Sequence, residues 1–210
     1  MDHNQPFDLQ AFFRKFFQTT DNEELVERFA SQSRVLTLDK GEIIYQPGMG
    51  KDTTTFLLDG VLKSYIISPG GTENTYALWF KPGTAICTMP PLVDIPGAYL
   101  KTLTPCTIID MANPGPWRLA EEYPELYKEI LYGVGFLYFG LMDKLRVAYT
   151  LSAKERYLWF LEKYAPIVDK VPQAEVAAFL GIQPQSLSRI RSELAEEQEG
   201  VTPPEKLSEL

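Results

Sequence analysis

Between residues 34 and 112, short apolar runs alternate with turns rich in glycine and proline, and this spacing limits the possible folds more than any other feature. Each run and its turn take about eight to twelve residues, which is typical of an antiparallel sandwich or small barrel. The predicted strands are 34–38, 42–45, 54–58, 62–67, 74–79 and 106–110. The predicted turns contain Gly41, Gly48, Gly60, Gly71, Gly83 and Gly97.

Helical patterns flank this β region on both sides. Residues 7 to about 30 predict two helices, with Asp21 or Asn22 as the N-cap of the second. After Pro116 a long helix is expected. Its apolar stripe consists of Tyr127, Ile130, Val134, Leu137 and Leu141, widened by Leu131, Tyr138, Met142 and Leu145. A stripe this wide favours a homodimer interface; a long core helix is the alternative reading.

Composition excludes several classes of protein. The 45% hydrophobic content allows a globular core, and no apolar run reaches the length of a membrane-spanning helix. His3 is the single histidine, so a haem ligand, a Ser-His-Asp triad and a zinc hydrolase site have no supporting residues. No phosphate-binding loop motif occurs. The sequence therefore predicts a cytoplasmic protein that is neither an enzyme nor membrane-bound, with no cofactor and no metal.

Residues 171–197 have the pattern of two short helices joined by a tight turn. Val176, Ala177 and Leu180 define the first helix, and Gly181 ends it because glycine tolerates the left-handed backbone. Pro184 suits the first turn of a second helix. The buried stripe of that helix consists of Leu187, Ile190 and Leu194. The segment thus predicts a helix-turn-helix, and Thr150 or Ser152 is expected to cap the helix before it.

The polar face of this second helix suits a major groove of DNA. Its candidate DNA-binding residues are Gln183, Gln185, Ser186, Ser188, Arg189 and Arg191. Arginine pairs bidentately with guanine and glutamine with adenine, whereas a solvated face usually alternates charges. Any antiparallel helix pair with a polar outer face remains the alternative. The net charge of −8 for the chain, and of −3 for residues 151–210, opposes non-specific DNA binding.

In its order of elements and motifs, the chain resembles the Crp/Fnr family, which includes the cAMP receptor protein. The markers are LDKGEII at 38–44, FLLDGVLK at 56–63, GTE at 71–73, KPG at 81–83, SAKERY at 152–157 and LSRIR at 187–191. The resemblance implies an α+β fold with an N-terminal double-stranded β-helix, a cupin-like jelly roll of the cyclic nucleotide-binding type. It implies three parts: a sensor β-roll with N-terminal helices at 1–116, a dimerisation helix at 117–149, and a helix-turn-helix with an acidic tail at 150–210.

The resemblance also implies a function, a homodimeric transcription regulator on a two-fold-related DNA site. RNA polymerase and an unidentified small-molecule effector are the further partners it allows. Arg189 stands where the family has a late base-reading arginine, whereas Pro184 and Gln185 replace an earlier arginine and a glutamate. We therefore expect a different base preference. The alternative function is a small-molecule sensor or protein-interaction module that has kept the fold and lost DNA binding.

The sensor segment departs from the cAMP-binding members. Where those members have a Gly-Glu pair and then an arginine for the phosphate, this chain has Cys87-Thr88 and then Pro96-Gly97. A buried phosphate without arginine would be poorly compensated, so no cAMP binding is expected. The candidate pocket residues are Cys87, Thr88, Met89, Tyr99 and Phe139. The cysteines Cys87 and Cys106 are read as small hydrophobes, with a thiol redox pair as the alternative.

Overall fold

The computed structural model describes residues 7–49, 54–87, 98–111 and 116–199. Its β region forms two four-stranded sheets, with strand orders β1-β8-β3-β6 and β2-β7-β4-β5. The strands are β1 Ser33–Leu38, β2 Ile43–Tyr45, β3 Thr54–Asp59, β4 Leu62–Ile67, β5 Glu73–Trp79, β6 Ala85–Cys87, β7 Ala98–Thr102 and β8 Cys106–Met111. All pairings between described strands are antiparallel. The two sheets make the double-stranded β-helix that the family resemblance implies, and we call it the β-roll.

The six predicted strands are confirmed to within a residue or so at their ends, while β6 and β7 are additional. β6 has three residues, which is too short for a period-two pattern to register. β7 carries Tyr99, which the sequence assigned to a pocket without assigning a strand. In the structure Leu100 of β7 is buried between the sheets with Leu57, Leu62 and Ile108.

Gly60 makes the tight turn between β3 and β4. Its φ is +100°, and a Cβ atom there would lie 2.6 Å from both the Cys106 Sγ and the Pro105 carbonyl oxygen. The Cys106 thiol is buried and donates to the Val61 carbonyl oxygen at 3.4 Å. Burial raises the pKa of Cys106, which keeps the thiol protonated and unreactive. This cysteine therefore acts as a small packing residue at the turn.

Two N-terminal helices cover one side of the β-roll: α1 Leu9–Phe16 and α2 Glu23–Ser31. The rings of Phe13 and Phe29 pack edge-on at 5.3 Å, and Phe13 contacts Phe56 of β3 at the same distance. Asn22 caps α2, as one of the two predicted candidates, by accepting from the Glu24 and Leu25 amides. Its side-chain amide also donates to Glu125 at 2.7 Å, which ties these helices to the chain beyond the β-roll.

The helices after the β-roll are α3 Pro116–Glu122, α4 Leu126–Thr150, α5 Ala153–Lys163, α6 Gln173–Leu180 and α7 Pro184–Glu199. Ser152 caps α5 in a capping box with Glu155, which confirms one of the two predicted caps. α4 is the predicted long helix, but it begins at Leu126 and not at residue 117, because α3 and a turn at 123–125 that contains Pro124 come before it. Its side chains are buried at Leu126 and Val147, near its two ends. None of the helices in the described ranges combines the length and apolarity needed to cross a bilayer.

Along most of α4 large apolar side chains face solvent. The exposed fractions are 71% for Leu131, 57% for Tyr138, 50% for Leu141 and 85% for Tyr149. A core helix would bury this surface within its own chain, and the described part of the chain does not cover it. Exposed apolar area on this scale is characteristic of an association surface.

Lys144 fixes the C-terminal part of α4 to the β-roll. Its Nζ donates to the carbonyl oxygens of Thr75 at 3.0 Å and Tyr76 at 2.9 Å, both on β5. The same Nζ lies 3.9 Å from the ring centre of Phe179 on α6. Burial lowers the pKa of Lys144 from 10.5 to about 7. One lysine thus joins the long helix α4, the sheet and α6.

The turn at Gly60 generates a stability prediction. Gly60→Ala should lower the free energy of unfolding by about 3 kcal/mol or more, because a Cβ would strain the backbone and also clash with neighbouring atoms. Gly41→Ala is the matched control: φ there is +92° with no atom within 4 Å, so the expected cost is about 1 kcal/mol. Urea unfolding of the three proteins checks this. Equal losses in the two variants would contradict the steric account.

Lys144 generates a pH prediction. Its pKa is about 7 in the folded protein and 10.5 ordinarily, so the unfolded chain binds more protons between these values. The stability of the native protein relative to Lys144→Met should therefore rise with pH above 7, by up to about 1 kcal/mol per pH unit. Urea unfolding at fixed protein concentration between pH 6 and 9 measures it. Lys128→Met, on the exposed face of α4, should show no such slope; an equal slope in both would contradict the assignment.

Candidate nucleic-acid interface

Backbone geometry at Gly181 sets the angle between α6 and α7. Gly181 is left-handed, with φ 62° and ψ 40°, as predicted for the residue that ends the first helix. The Ile182 amide donates to the Ala177 carbonyl oxygen at 3.0 Å, which closes the end of α6. α7 begins at Pro184, as predicted, and the Leu187 amide donates to the Gln183 carbonyl oxygen at 3.0 Å. The geometry of the α6–α7 pair therefore follows from one glycine and one proline.

The predicted buried and outward faces of α7 are both present. Leu187 and Ile190 are buried and Leu194 is half-buried, so the stripe faces the core. Ser186 is half-buried, and the other candidate DNA-binding residues are exposed: Gln183, Gln185, Ser188, Arg189 and Arg191. Five of the six candidates are thus accessible, and we call these exposed residues, 183, 185, 188, 189 and 191, the reading face.

Arg189 is a well-exposed cation of the reading face, with a side chain that is 77% exposed. It lies 3.6 Å from Glu193, one helical turn further along. An exposed pair at this distance contributes little to stability and exchanges readily with other partners. The guanidinium is therefore free to turn toward a nucleic-acid base or phosphate.

Arg156 of α5 hydrogen-bonds to the turn between α6 and α7. It was not among the site residues predicted from the sequence. Its Nη1 donates to the carbonyl oxygens of Leu180 at 2.8 Å and Gly181 at 3.4 Å. These are carbonyls at the C-terminal end of α6, where a cation also interacts favourably with the helix dipole. The available signal was the capping box at Ser152, which fixes the rotation of α5 and hence the direction of Arg156.

The core beneath the helix-turn-helix includes residues from the β-roll. Val61, Leu78 and Leu103 pack in one cluster with side chains of α5, α6 and α7. Within the helices, the rings of Phe160 and Tyr164 stack at 5.1 Å, and Phe179 contacts Tyr164 at the same distance. The helix-turn-helix is thus packed on the sheet by a continuous apolar contact.

A buried ion pair crosses the same boundary. Lys63 of β4 has a side chain that is 1% exposed, and its Nζ lies 2.7 Å from the Glu175 carboxylate of α6. Glu73 of β5 is a second acceptor, at 2.6 Å. Thr75 donates to Glu175 at 3.3 Å. Neither lysine of the boundary, Lys63 or Lys144, was predicted as a site residue.

The predicted ligand pocket is not brought together by the described residues. Phe139 is 72% exposed on α4. Tyr99 is half-buried on β7, where its ring stacks on Tyr65 at 4.9 Å. Thr88, Met89 and the side chain of Cys87 lie outside the described residues. The pocket therefore stays a prediction.

Known proteins match this chain in structure. No protein-family profile and no curated protein sequence matches it. A regulator assigned to the Crp/Fnr family from Eubacterium rectale aligns over 87% of this chain and 88% of its own, with a TM-score of 0.72 and 14% identity. FixK2 from Bradyrhizobium japonicum aligns over 79% and 86%, with a TM-score of 0.68 and 15% identity.

A third similar structure is the c-di-GMP responsive global regulator CLP from Xanthomonas campestris. It covers 84% of this chain and 93% of its own, with a TM-score of 0.66 and 15% identity. At such identities the likeness is one of fold. The α+β architecture expected from the sequence markers is thereby confirmed, and the chain has the fold of the Crp/Fnr transcriptional regulators.

Proposed function

We propose that this protein is a homodimeric, sequence-specific DNA-binding transcription regulator of the Crp/Fnr type. The observation that carries the proposal is the reading face: a helix with its apolar stripe buried presents glutamine, serine and arginine side chains to solvent. Residues 183–194 would lie in the major groove. The fold shared with FixK2 and CLP supports the same function.

Chemistry at the reading face favours direct readout of bases. Gln183 directly precedes α7 and Gln185 lies in its first turn, and the N-terminal part of a recognition helix contacts base edges. A glutamine pairs with adenine and an arginine with guanine. Arg189 follows one turn later, where it reaches the next bases or the backbone. Base contacts therefore provide more of the binding energy here than in a strongly basic protein.

Exposed apolar residues on α4 support the dimer. Leu131, Tyr138 and Leu141 lie on one broad face that the described chain does not cover. Pairing this face with a second copy would bury it and would relate two reading faces by a two-fold axis. Two half-sites about one duplex turn apart are the matching DNA target.

We further propose that cAMP is not the effector. A cyclic phosphate needs a cation or an amide nest, and the chain has Pro96-Gly97 where cAMP-binding members place an arginine. An effector that is more apolar than a cyclic nucleotide would not need such a compensating charge.

The second candidate function is a small-molecule sensor or protein-interaction module without DNA affinity. The acidic balance of the chain, −8 overall, is the observation that favours it, because non-specific DNA affinity comes from neutralised phosphates. Weak dependence of binding on salt is compatible with the leading proposal. Absence of any preferred DNA sequence is compatible only with the second.

Arg189→Ala tests the reading face. Binding to a site selected from random DNA should weaken by about 1–3 kcal/mol, with relaxed preference at the bases that Arg189 reads. Arg118→Ala, an exposed arginine on α3, is the matched control and should leave affinity unchanged. Fluorescence anisotropy titrations measure both. Native affinity and sequence preference in Arg189→Ala would show that the reading helix is misassigned.

Leu141→Lys tests the dimer. A lysine placed in the apolar face of α4 should weaken dimerisation by about 3 kcal/mol, because its charge would be buried without a partner. Tyr132→Lys is the control: this residue is 69% exposed and lies nine positions away, about 180° around the helix. Sedimentation equilibrium measures the dissociation constant. Equal dimerisation of the Leu141 variant and the native protein would contradict the proposed face.

A further inference from the structure

Lys63 occupies a rigid position on the outer face of the β-roll. Its strand, β4, lies between β5 and β7, with Lys63 paired to Leu78 on one side and Lys101 on the other. Successive residues of a strand point to opposite faces. Leu62 is buried between the two sheets, so Lys63 points outward, toward α6. A central strand holds the base of this side chain firmly.

The ammonium group of Lys63 is satisfied almost entirely by carboxylates. Glu175 of α6 accepts from it through both oxygens, at 2.7 and 2.9 Å, and Glu73 of β5 accepts at 2.6 Å. These three contacts match the three donors of an ammonium group. The Tyr65 ring centre lies 4.6 Å away on the same strand. Two of the three acceptor oxygens therefore come from the first helix of the helix-turn-helix.

Because Lys63 is buried, its ion pair with Glu175 is sensitive to the position of α6 on the sheet. A buried ammonium that loses acceptors keeps its desolvation cost without compensation, whereas an exposed pair is replaced by water. The Glu175 side chain is 24% exposed and that of Lys63 is 1% exposed. If α6 slides or rotates on the sheet, the Lys63 ammonium loses acceptors and its burial becomes unfavourable. An apolar contact between α6 and β5 alone would tolerate such a shift far more readily.

We propose that Lys63 is a positioning residue for DNA recognition: through Glu175 it fixes the orientation of the reading face relative to the dimer helix, and so sets the half-site spacing. The proposal rests on the proposed function. α4 is held to β5 by Lys144, and α6 is held to β4 by Lys63. The β-roll is thus the rigid piece between the dimer axis and the helix-turn-helix.

This docked arrangement leaves the reading face accessible. Glu175 and Phe179 of α6 contact the lysines, while Gln183, Gln185 and Arg189 beyond the turn stay exposed. The side of the helix-turn-helix that contacts the sheet is therefore different from the side proposed to contact DNA. Positioning by Lys63 and base readout by α7 are compatible in one conformation.

The test compares half-site spacing preference in three variants. Lys63→Met and Glu175→Ala both remove the contact that crosses to α6. Glu73→Ala removes the other ion pair of the same lysine, which stays within the β-roll. Affinities are measured by anisotropy on the selected site and on sites with one base pair inserted or deleted. The native protein should prefer the selected spacing about tenfold or more.

Lys63→Met and Glu175→Ala should reduce this spacing ratio to about threefold or less, and Glu73→Ala should keep the native ratio. Lys154→Met, which breaks the exposed Lys154–Glu197 pair in the same part of the chain, should also keep it. A native ratio in Glu175→Ala would overturn the proposal. So would an equal loss in Glu73→Ala. If Lys63→Met does not fold, the two glutamate variants decide, because Lys63 keeps one carboxylate in each.

A measurement without DNA separates this proposal from the proposed function. Spin labels on bioorthogonal side chains at Lys40 of the β-roll and Glu196 of α7, both exposed, report the distance between them. The native protein should give a narrow distribution, and Glu175→Ala a distribution about twice as broad or shifted. Identical distributions would overturn the positioning role. If the native protein binds no DNA, the proposed function fails, and these distances alone decide the role of Lys63.

Discussion

The contact between the C-terminal helices α5, α6 and α7 and the outer face of the β-roll determines how the parts of this protein are arranged. Val61, Leu78 and Leu103 of the β-roll share a core with α5, α6 and α7. Apolar packing supplies most of the favourable free energy, but it is non-directional. The buried pair of Lys63 and Glu175 fixes the orientation of α6 on the sheet, because its donors and acceptors pair well only in this arrangement.

This arrangement connects two surfaces that would otherwise be independent. α4 presents an apolar face suited to a second copy, and α7 presents a polar face suited to DNA. Lys144 fastens α4 to β5, and Lys63 of the neighbouring strand β4 fastens α6, the helix before α7. A ligand that altered these strands would move one surface relative to the other. Under the proposed function, regulation would act through a few contacts on a single sheet.

The parts of the fold that could be predicted from the sequence follow from local rules for turns, helix caps and strand periodicity. Glycines with positive φ, such as Gly60 and Gly181, mark turns that no other residue makes cheaply, and the caps Asn22 and Ser152 mark helix starts. The six longer strands follow from alternation and spacing. The three-residue β6 has too few residues for any periodic signal. The exposed side of α7 could be predicted because its pattern belongs to a single helix.

Contacts between distant segments could not be predicted from the sequence. Lys63 and Glu175 are 112 residues apart, and neither has a neighbour in sequence that indicates the other. From the sequence alone, a buried lysine in a strand cannot be distinguished from an exposed one, because its partner is unknown. Arg156 is likewise recognisable only once the end of α6 lies beside it. Tertiary packing, which local patterns do not encode, created these sites.

Selection of bound sequences from random double-stranded DNA by the purified protein tests the central claim most directly. The account predicts enrichment of a two-fold-related site with half-sites about 10 base pairs apart, containing bases that glutamine and arginine read. Failure to enrich any sequence, or enrichment of a single site without two-fold symmetry, would contradict it.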